Sequence, residues 1–536
     1  MASTARLGDH IRSMNVAEAA RWGESRPGRR IVLALILALS AGLPIILAWA
    51  TGSLSIPHND AWALSKIAQG FARSGEFRLL GWGRTALAGQ VMVLGPLGES
   101  IVVQHLFVAG LSVVALGATY AFLVCRVGSA GALLGTAIVG STPEFGLLAT
   151  SFMTDMPAFA ALMVCLLLTD VALRTGKSAW LAAALVVGVW GVTIREQALV
   201  GPVVAVVVAA LACRGRKRLT VIGFGLVAFA ATVGFEVWRQ SLPRGDSPRF
   251  VLDLDGLADT ALRAVFTSSL YVAPAVLLVA RPIRWTARIR WISAVVLVSS
   301  LAIVACRSGD VFLGNYLSRD GAYSGVAVGV RSVIPVWHWF GLLLLGCLSL
   351  ASLVGAFLHA GVRMDRTSLL VGLLLMAGTM GQAALGQTIY SRYLLPLIPV
   401  LCVPILRCSN PPGGRLALPA LAVLFVTSIA ITSNALAFDA ARWSAASFIQ
   451  ERGVRARDID AGLEWVGYHA TGPAVQDSTR PEALAWYMSM FEHSRACYVI
   501  SASPLKGRSE IGTYDYSTYA VIGHSQLWIY EETPCR

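Results

Sequence analysis

Residues 29–50 read RRIVLALILALSAGLPIILAWA, two arginines followed by an uncharged, almost wholly apolar run. At 1.5 Å rise per residue, a helix of about twenty residues crosses a hydrocarbon core of about 30 Å. In lipid the run must be helical, because a helix satisfies its own backbone hydrogen bonds. Ala48-Trp49-Ala50 looks like a signal-cleavage site, but the apolar run and the basic segment before it are both long for a signal peptide. Residues 31–50 are therefore read as an uncleaved first helix, and 1–30 as a cytoplasmic segment.

The same grammar recurs along the chain. Of 536 residues, 56% are hydrophobic and 14% charged, against about 25% charged in soluble domains. Apolar spans fall near 101–125, 129–148, 155–173, 179–194, 196–212, 219–238, 257–280, 291–306, 335–358, 368–386, 393–406 and 416–437. The expected fold is an all-α polytopic transmembrane protein of about thirteen helices.

The net charge of +13 comes from short Arg and Lys clusters between spans, not from one face of a soluble domain, which argues against a nucleic-acid partner. With the N-terminus in the cytoplasm, alternate loops carry Arg126; Arg174 and Lys177; Arg214 to Arg218; Arg281 to Arg290; Arg363 and Arg366; Arg407 and Arg415. Cytoplasmic loops are basic in this way. The outward segments are then 51–100, the joints near 149–155 and 194–197, 239–256, 307–334, 387–392, and the tail from 438.

The expected organisation is a transmembrane domain over 31–437 and an extracytoplasmic soluble domain over 438–536. In the tail a helix around 440–452 and strand-like runs at 497–501, 518–523 and 526–530 predict a small α/β domain. In the first outer loop, DAWALSKIAQGFARSG places Ala61, Leu64, Ile67, Ala68 and Phe71 on one side of an interfacial helix, and the weakly apolar GRTALAGQVMVLGP follows. Of nine cysteines, only Cys497 and Cys535 share the polar tail, where an oxidising compartment would allow a disulfide.

Charge at membrane depth is costly, about 2.5–3.5 kcal/mol on insertion scales, so each charged residue at a span end needs a reason. Asp60, in HND, and Asp155, in FMTDMP, both suit helix N-termini, and capping alone would account for either. Arg195 with Glu196, in TIREQ, and Arg392 with Tyr393, in SRYLLPLIP, sit at outward joints. Their arginines call for a partner: an ion pair with Glu196, interfacial snorkelling, or a bound phosphate. His58 beside Asp60 is either an accessory that tunes it or a loop histidine without a role. The segment 307–334, with Tyr316, Arg319, Asp320 and Tyr323, is either a loop that closes over substrate or a linker. Trp465, Tyr468 and Trp486 offer sugar-stacking faces or core packing. Asp60, Asp155, Arg195 and Arg392 come from four distant parts of the chain, and the topology sends all of them to one membrane face.

These strings, HNDAW, FMTDMP, TIREQAL, RYLLPLIP and DIDAGLEWVGYH, occur in an order that resembles the GT-C superfamily of membrane glycosyltransferases. The likeness runs from about residue 31 to 480 and is strongest to the branch of protein O-mannosyltransferases and bacterial lipid A aminoarabinose transferases. It implies a glycosyltransferase, hexosyl or pentosyl, that takes a sugar from a polyprenyl-phosphate donor. It implies Asp60 as catalytic base, although members often carry paired acids where this chain has Asn59-Asp60. Asp155 would organise the acceptor or orient the Asp60 loop, and Arg195, Arg392 and Tyr393 would hold the donor phosphate.

A lipid-phosphate sugar already carries a good leaving group, so a base and a phosphate clamp suffice for inverting displacement. The implied acceptor is an extracytoplasmic glycan, lipid or protein, and the implied site a bacterial plasma membrane. No nucleotide-sugar motif is present. The eight histidines lack paired ligand spacing, so no metal or other cofactor is expected, although a divalent ion is compatible. The rival readings are a transporter or lipid flippase, which would favour internal repeats and broken midplane helices, and a membrane scaffold, which would leave Asp60 and RYLLP without a task.

Overall fold

The computed structural model describes residues 26–80, 87–242, 251–362, 364–408, 416–471, 485–491, 494–519 and 523–532. Each predicted apolar run is helical, but the expected count of about thirteen spans is not reproduced. Among the described residues eight helices are long and apolar enough to cross a membrane, or nine if the bent pair Leu254–Tyr271 and Ala273–Val279 is one span.

Local chemistry explains the difference. The runs at 101–125 and 129–148 are two helices within Ile101–Gly140 that part at Gly128, where φ is +74°, and fold back on each other, so that a Cβ on Gly140 would stand 3.6 Å from Leu116 Cδ1; that one stretch of the eight thus holds two expected runs. Ser178–Ile194 and Glu196–Ala212 are shorter, parted by the extended backbone at Arg195. The run at 393–406 divides into a 3-10 turn, Ser391–Leu397, and the ten-residue helix Ile398–Arg407, with Pro396 and Pro404 interrupting the ladder.

The helices sort by burial. Asp155–Thr175 is the most enclosed, with 72% of its apolar window inside the protein, while only 6% of Arg216–Ser241 is covered. The first is the hub and the second faces lipid. Small residues let neighbours approach the hub, since a Cβ on Gly191 would stand 2.7 Å from the Ala161 Cβ.

The hub also has two chemically distinct ends. At Asp170, Arg126 makes bidentate contacts of 2.5 and 2.9 Å, and Arg126 and Arg407 both reach Asp365. Asp155 opens the same helix fifteen residues earlier, about 22 Å away at helical rise. Two of the arginines assigned by charge to the cytoplasmic side thus gather opposite the Asp155 end.

Ala61–Ser74 forms as its spacing predicts and buries Ala61, Leu64, Ile67 and Ala68, and Ala88–Leu94 follows it. The expected helix at 440–452 is not separate: Ala417–Gln450 is one unbroken 34-residue helix. Its last turns present Phe438, Ala441, Ala445 and Ile449 to a sheet carrying Ile459, Ile500, Leu527 and Ile529.

That sheet has four strands, β1 (Ile459–Asp460), β2 (Tyr498–Ser501), β3 (Ser509–Thr518) and β4 (Gly523–Glu531), ordered β1-β2-β4-β3. β1 and β2 are parallel and the other pairs antiparallel. Of the run expected as a strand at 518–523, Thr518 ends β3, Gly523 begins β4 and 520–522 lie outside the described residues; β3 itself was not expected. Cys497 is buried and disulfide-bonded. Cys535, its predicted partner, lies outside the described residues.

The segment 307–334 is no loose linker. Val311, Phe312, Tyr316, Leu317 and Tyr323 are buried, and Val328 pairs with Ser501 at the edge of the sheet.

Candidate functional site

Four chain segments meet at the Asp155 end of the hub. Arg195 ends the Ser178–Ile194 helix in extended backbone, which turns its side chain across to Asp155 at 2.9 Å and to the Thr154 hydroxyl at 3.2 Å. Glu196, the neighbour expected as an ion-pair partner, is exposed, and Asp155 takes that place. Arg392, held by the Ser391–Leu397 turn, lies between two carboxylates. Its Nη2 is 3.6 Å from Asp60 and its Nε 3.7 Å from Asp155. Neither acid side chain caps its helix.

The environment of Arg392 is unusual in two respects. Its guanidinium stands 5.2–5.7 Å from the ring centres of Tyr316, Tyr390 and Tyr393, while Arg195 lies 4.7 Å over Tyr393. Both arginines are therefore walled by aromatic faces, which favour a cation. In addition, Arg392 Nε and Nη1 are buried with no hydrogen-bond acceptor among the described residues. Buried donors left open in this way cost free energy unless something accepts from them. The carboxylates stop just beyond hydrogen-bond range, which leaves the fork available to a planar or tetrahedral oxyanion. Asp60 is the exposed member, 23% accessible against 5% for Asp155 and Arg392.

Behind Asp60 lies a second polar network that the sequence does not foretell. His58 Nδ1 is 2.8 Å from Asp439 Oδ2. Tyr323 donates to the same oxygen at 3.0 Å, and Arg442 donates to Asp439 Oδ1 at 2.6 Å and also to Glu464. Gly462 is required here, because at φ +103° a Cβ would stand 1.7 Å from Arg442 Nη1. The DIDAGLEWVGYH string thus closes a buried ion network that fixes His58, two residues from Asp60. Glu144, which accepts from the Tyr271 hydroxyl at 2.8 Å, was also missed. The available signal was the cost of a carboxylate inside or just past an apolar run, which applies to Glu144 and Asp439 as it does to Asp60.

The tail aromatics divide. Trp465 is core, with its Nε1 on the Ala456 carbonyl at 3.0 Å; Tyr468 bonds Gln69; Trp486 is 52% exposed. Burial pushes the Asp460 carboxyl up, against the hydrogen bond from Tyr487. Burial and nearby Lys66 push His469 down to about 4.

Among the described residues no group of three or more His, Cys, Asp or Glu could hold a metal ion.

Fold and site together define a multi-span helical membrane protein with a buried acid–arginine cluster at one end of its central helix, beneath a small sheet domain. No family model and no curated protein matches the chain. Among solved structures it is similar to ArnT from Cupriavidus metallidurans bound to undecaprenyl phosphate, at 12% identity and TM-score 0.39, over 95% of this chain and 99% of that one. It is also similar to ArnT from the same organism in the apo state, at 13% identity and TM-score 0.36, over 92% and 97%.

Proposed function

We propose that this protein is a membrane glycosyltransferase of the GT-C kind that moves a sugar from a polyprenyl-phosphate donor to an extracytoplasmic acceptor. The observation that carries the reading is the position of Arg392, a buried guanidinium with unfilled donors, 3.6 Å from the one accessible carboxylate of the cluster.

In this reading the acceptor hydroxyl gives its proton to Asp60 as its oxygen bonds the anomeric carbon. The bond from that carbon to the phosphate oxygen breaks, and the configuration inverts. Two carboxylates and two guanidiniums make the resting cluster neutral. Protonation of Asp60 leaves it one unit positive as the lipid phosphate gains one negative charge, so the site is matched to the products of the step more than to the reactants.

Asp155, tied to Arg195 and facing Arg392, positions both guanidiniums, and Tyr393 supplies the ring beneath Arg195. His58 holds the Asp60 loop through Asp439. The reaction is proposed to run without a cofactor, because the arginines supply the charge that a divalent cation would bring. The proposed setting is a bacterial plasma membrane, with the N-terminus cytoplasmic and the sheet domain and Asp60 outside.

Mass spectrometry of envelope glycans, lipids and glycoproteins from cells with and without the chain tests the reading. Loss of one sugar mass from one class of acceptor is expected. Identical envelopes, together with no transfer by purified protein given polyprenyl-phosphate sugars, would overturn it.

A further inference from the structure

A cleft of about 450 Å³ opens outside the charged cluster, between the start of the first loop, the last turns of Ala417–Gln450 and β3. Trp443, Ser447 and Glu451 follow one another at four-residue spacing, so they form one stripe of the helix, opposite the face that Ala441, Ala445 and Ile449 press on the sheet. Ser55, Ser444, Phe448 and Tyr514 add to the wall.

The chemistry of the wall selects a ligand. Three aromatic side chains offer flat apolar faces, and the hydroxyls of Ser55, Ser444, Ser447 and Tyr514 with the Glu451 carboxylate offer acceptors. The Trp443 ring is braced against Trp465, with centroids 5.0 Å apart. Glu451 disfavours an anion. Arg452, 4.0 Å over the Phe448 ring, disfavours a cation. What remains is a neutral molecule with C–H faces to stack and hydroxyls to share.

We propose that this cleft binds a neutral saccharide, which stacks a ring face on Trp443 and donates hydroxyl protons to Glu451. The site is separate from the charged cluster but touches its support: Ile56 and Ala440 line the cleft, and His58, two residues after Ile56, and Asp439, one residue before Ala440, form the 2.8 Å pair behind Asp60. A glycan held here reaches the cluster's flank without entering it.

The saccharide could belong to a soluble glycan or to a glycolipid headgroup, and the test separates the two. Full-length protein in lipid nanodiscs is applied to an array of neutral bacterial envelope oligosaccharides, printed both free and lipid-anchored. Wild type and Asp60→Asn are expected to retain the same saccharide, since binding needs no turnover. Retention of free and anchored forms alike marks a glycan site, and retention of the anchored form alone marks a headgroup site. Ser447→Trp, which fills the cleft from its open side, and Glu451→Gln should each weaken binding by about tenfold or more. No neutral saccharide retained by wild type, or full retention by Ser447→Trp, would overturn the proposal.

Discussion

Arg195 and Asp155 form a 2.9 Å ion pair between the end of one helix and the start of another, and both side chains are nearly inaccessible. Removing one partner of a buried pair strands the other charge, at a cost of about 3–5 kcal/mol. Asp155→Ala should therefore lower the thermal midpoint of the detergent-solubilised protein markedly, and the double variant Asp155→Ala with Arg195→Met should recover much of the loss. Equal midpoints for the single and double variants would show that the pair is not the source.

Arg392 is expected to act on donor affinity. Hydrogen bonds to charged groups contribute about 1.5–3 kcal/mol, so Arg392→Ala should weaken polyprenyl-phosphate binding by roughly 10- to 100-fold. Arg392→Lys should rescue little, because an ammonium cannot reproduce the planar fork. Titration of the lipid phosphate against each purified variant measures both.

The thirteen apolar runs and the four charged residues of the cluster were legible because lipid makes both conspicuous: long runs have one use, and charges at their ends need a reason. Convergence was not legible. Periodicity says nothing of the 381-residue separation across which His58 meets Asp439, nor that Arg195 prefers Asp155 to adjacent Glu196. The count of spans was not confirmed where single residues decide, at Arg195 and the two prolines of 391–407, whereas the break at Gly128 keeps two expected runs apart. β3 was overlooked because SEIGTYDYST has little apolar alternation; none of its residues is fully buried, and Tyr514 and Tyr516 pack only half-buried against the cluster at the end of Ala417–Gln450.

The tail should report acid through His469. Its folded value, about 4, lies below the ordinary 6.5, so the unfolded chain binds a proton that the folded chain refuses. Stability is then fully present above pH 6.5, declines as pH falls through the window from 6.5 to about 4, and levels off below it. His469→Gln should flatten that part of the melting profile, followed by tryptophan fluorescence. An unchanged acid limb would place the titration elsewhere.

Cys497 should resist alkylation in the folded, oxidised protein and label after reduction, with the modified peptide read by mass spectrometry. Cys535→Ser should make Cys497 reactive at once if the two are bridged. Continued protection of Cys497 would assign its disulfide to another partner.

The transfer step itself rests on the carboxylate at position 60. With purified protein, a polyprenyl-phosphate sugar and the acceptor identified from the envelope comparison, Asp60→Asn should lower turnover by about 10²–10⁴-fold while donor affinity stays within about twofold of wild type. Turnover at the wild-type rate in that variant would contradict the account.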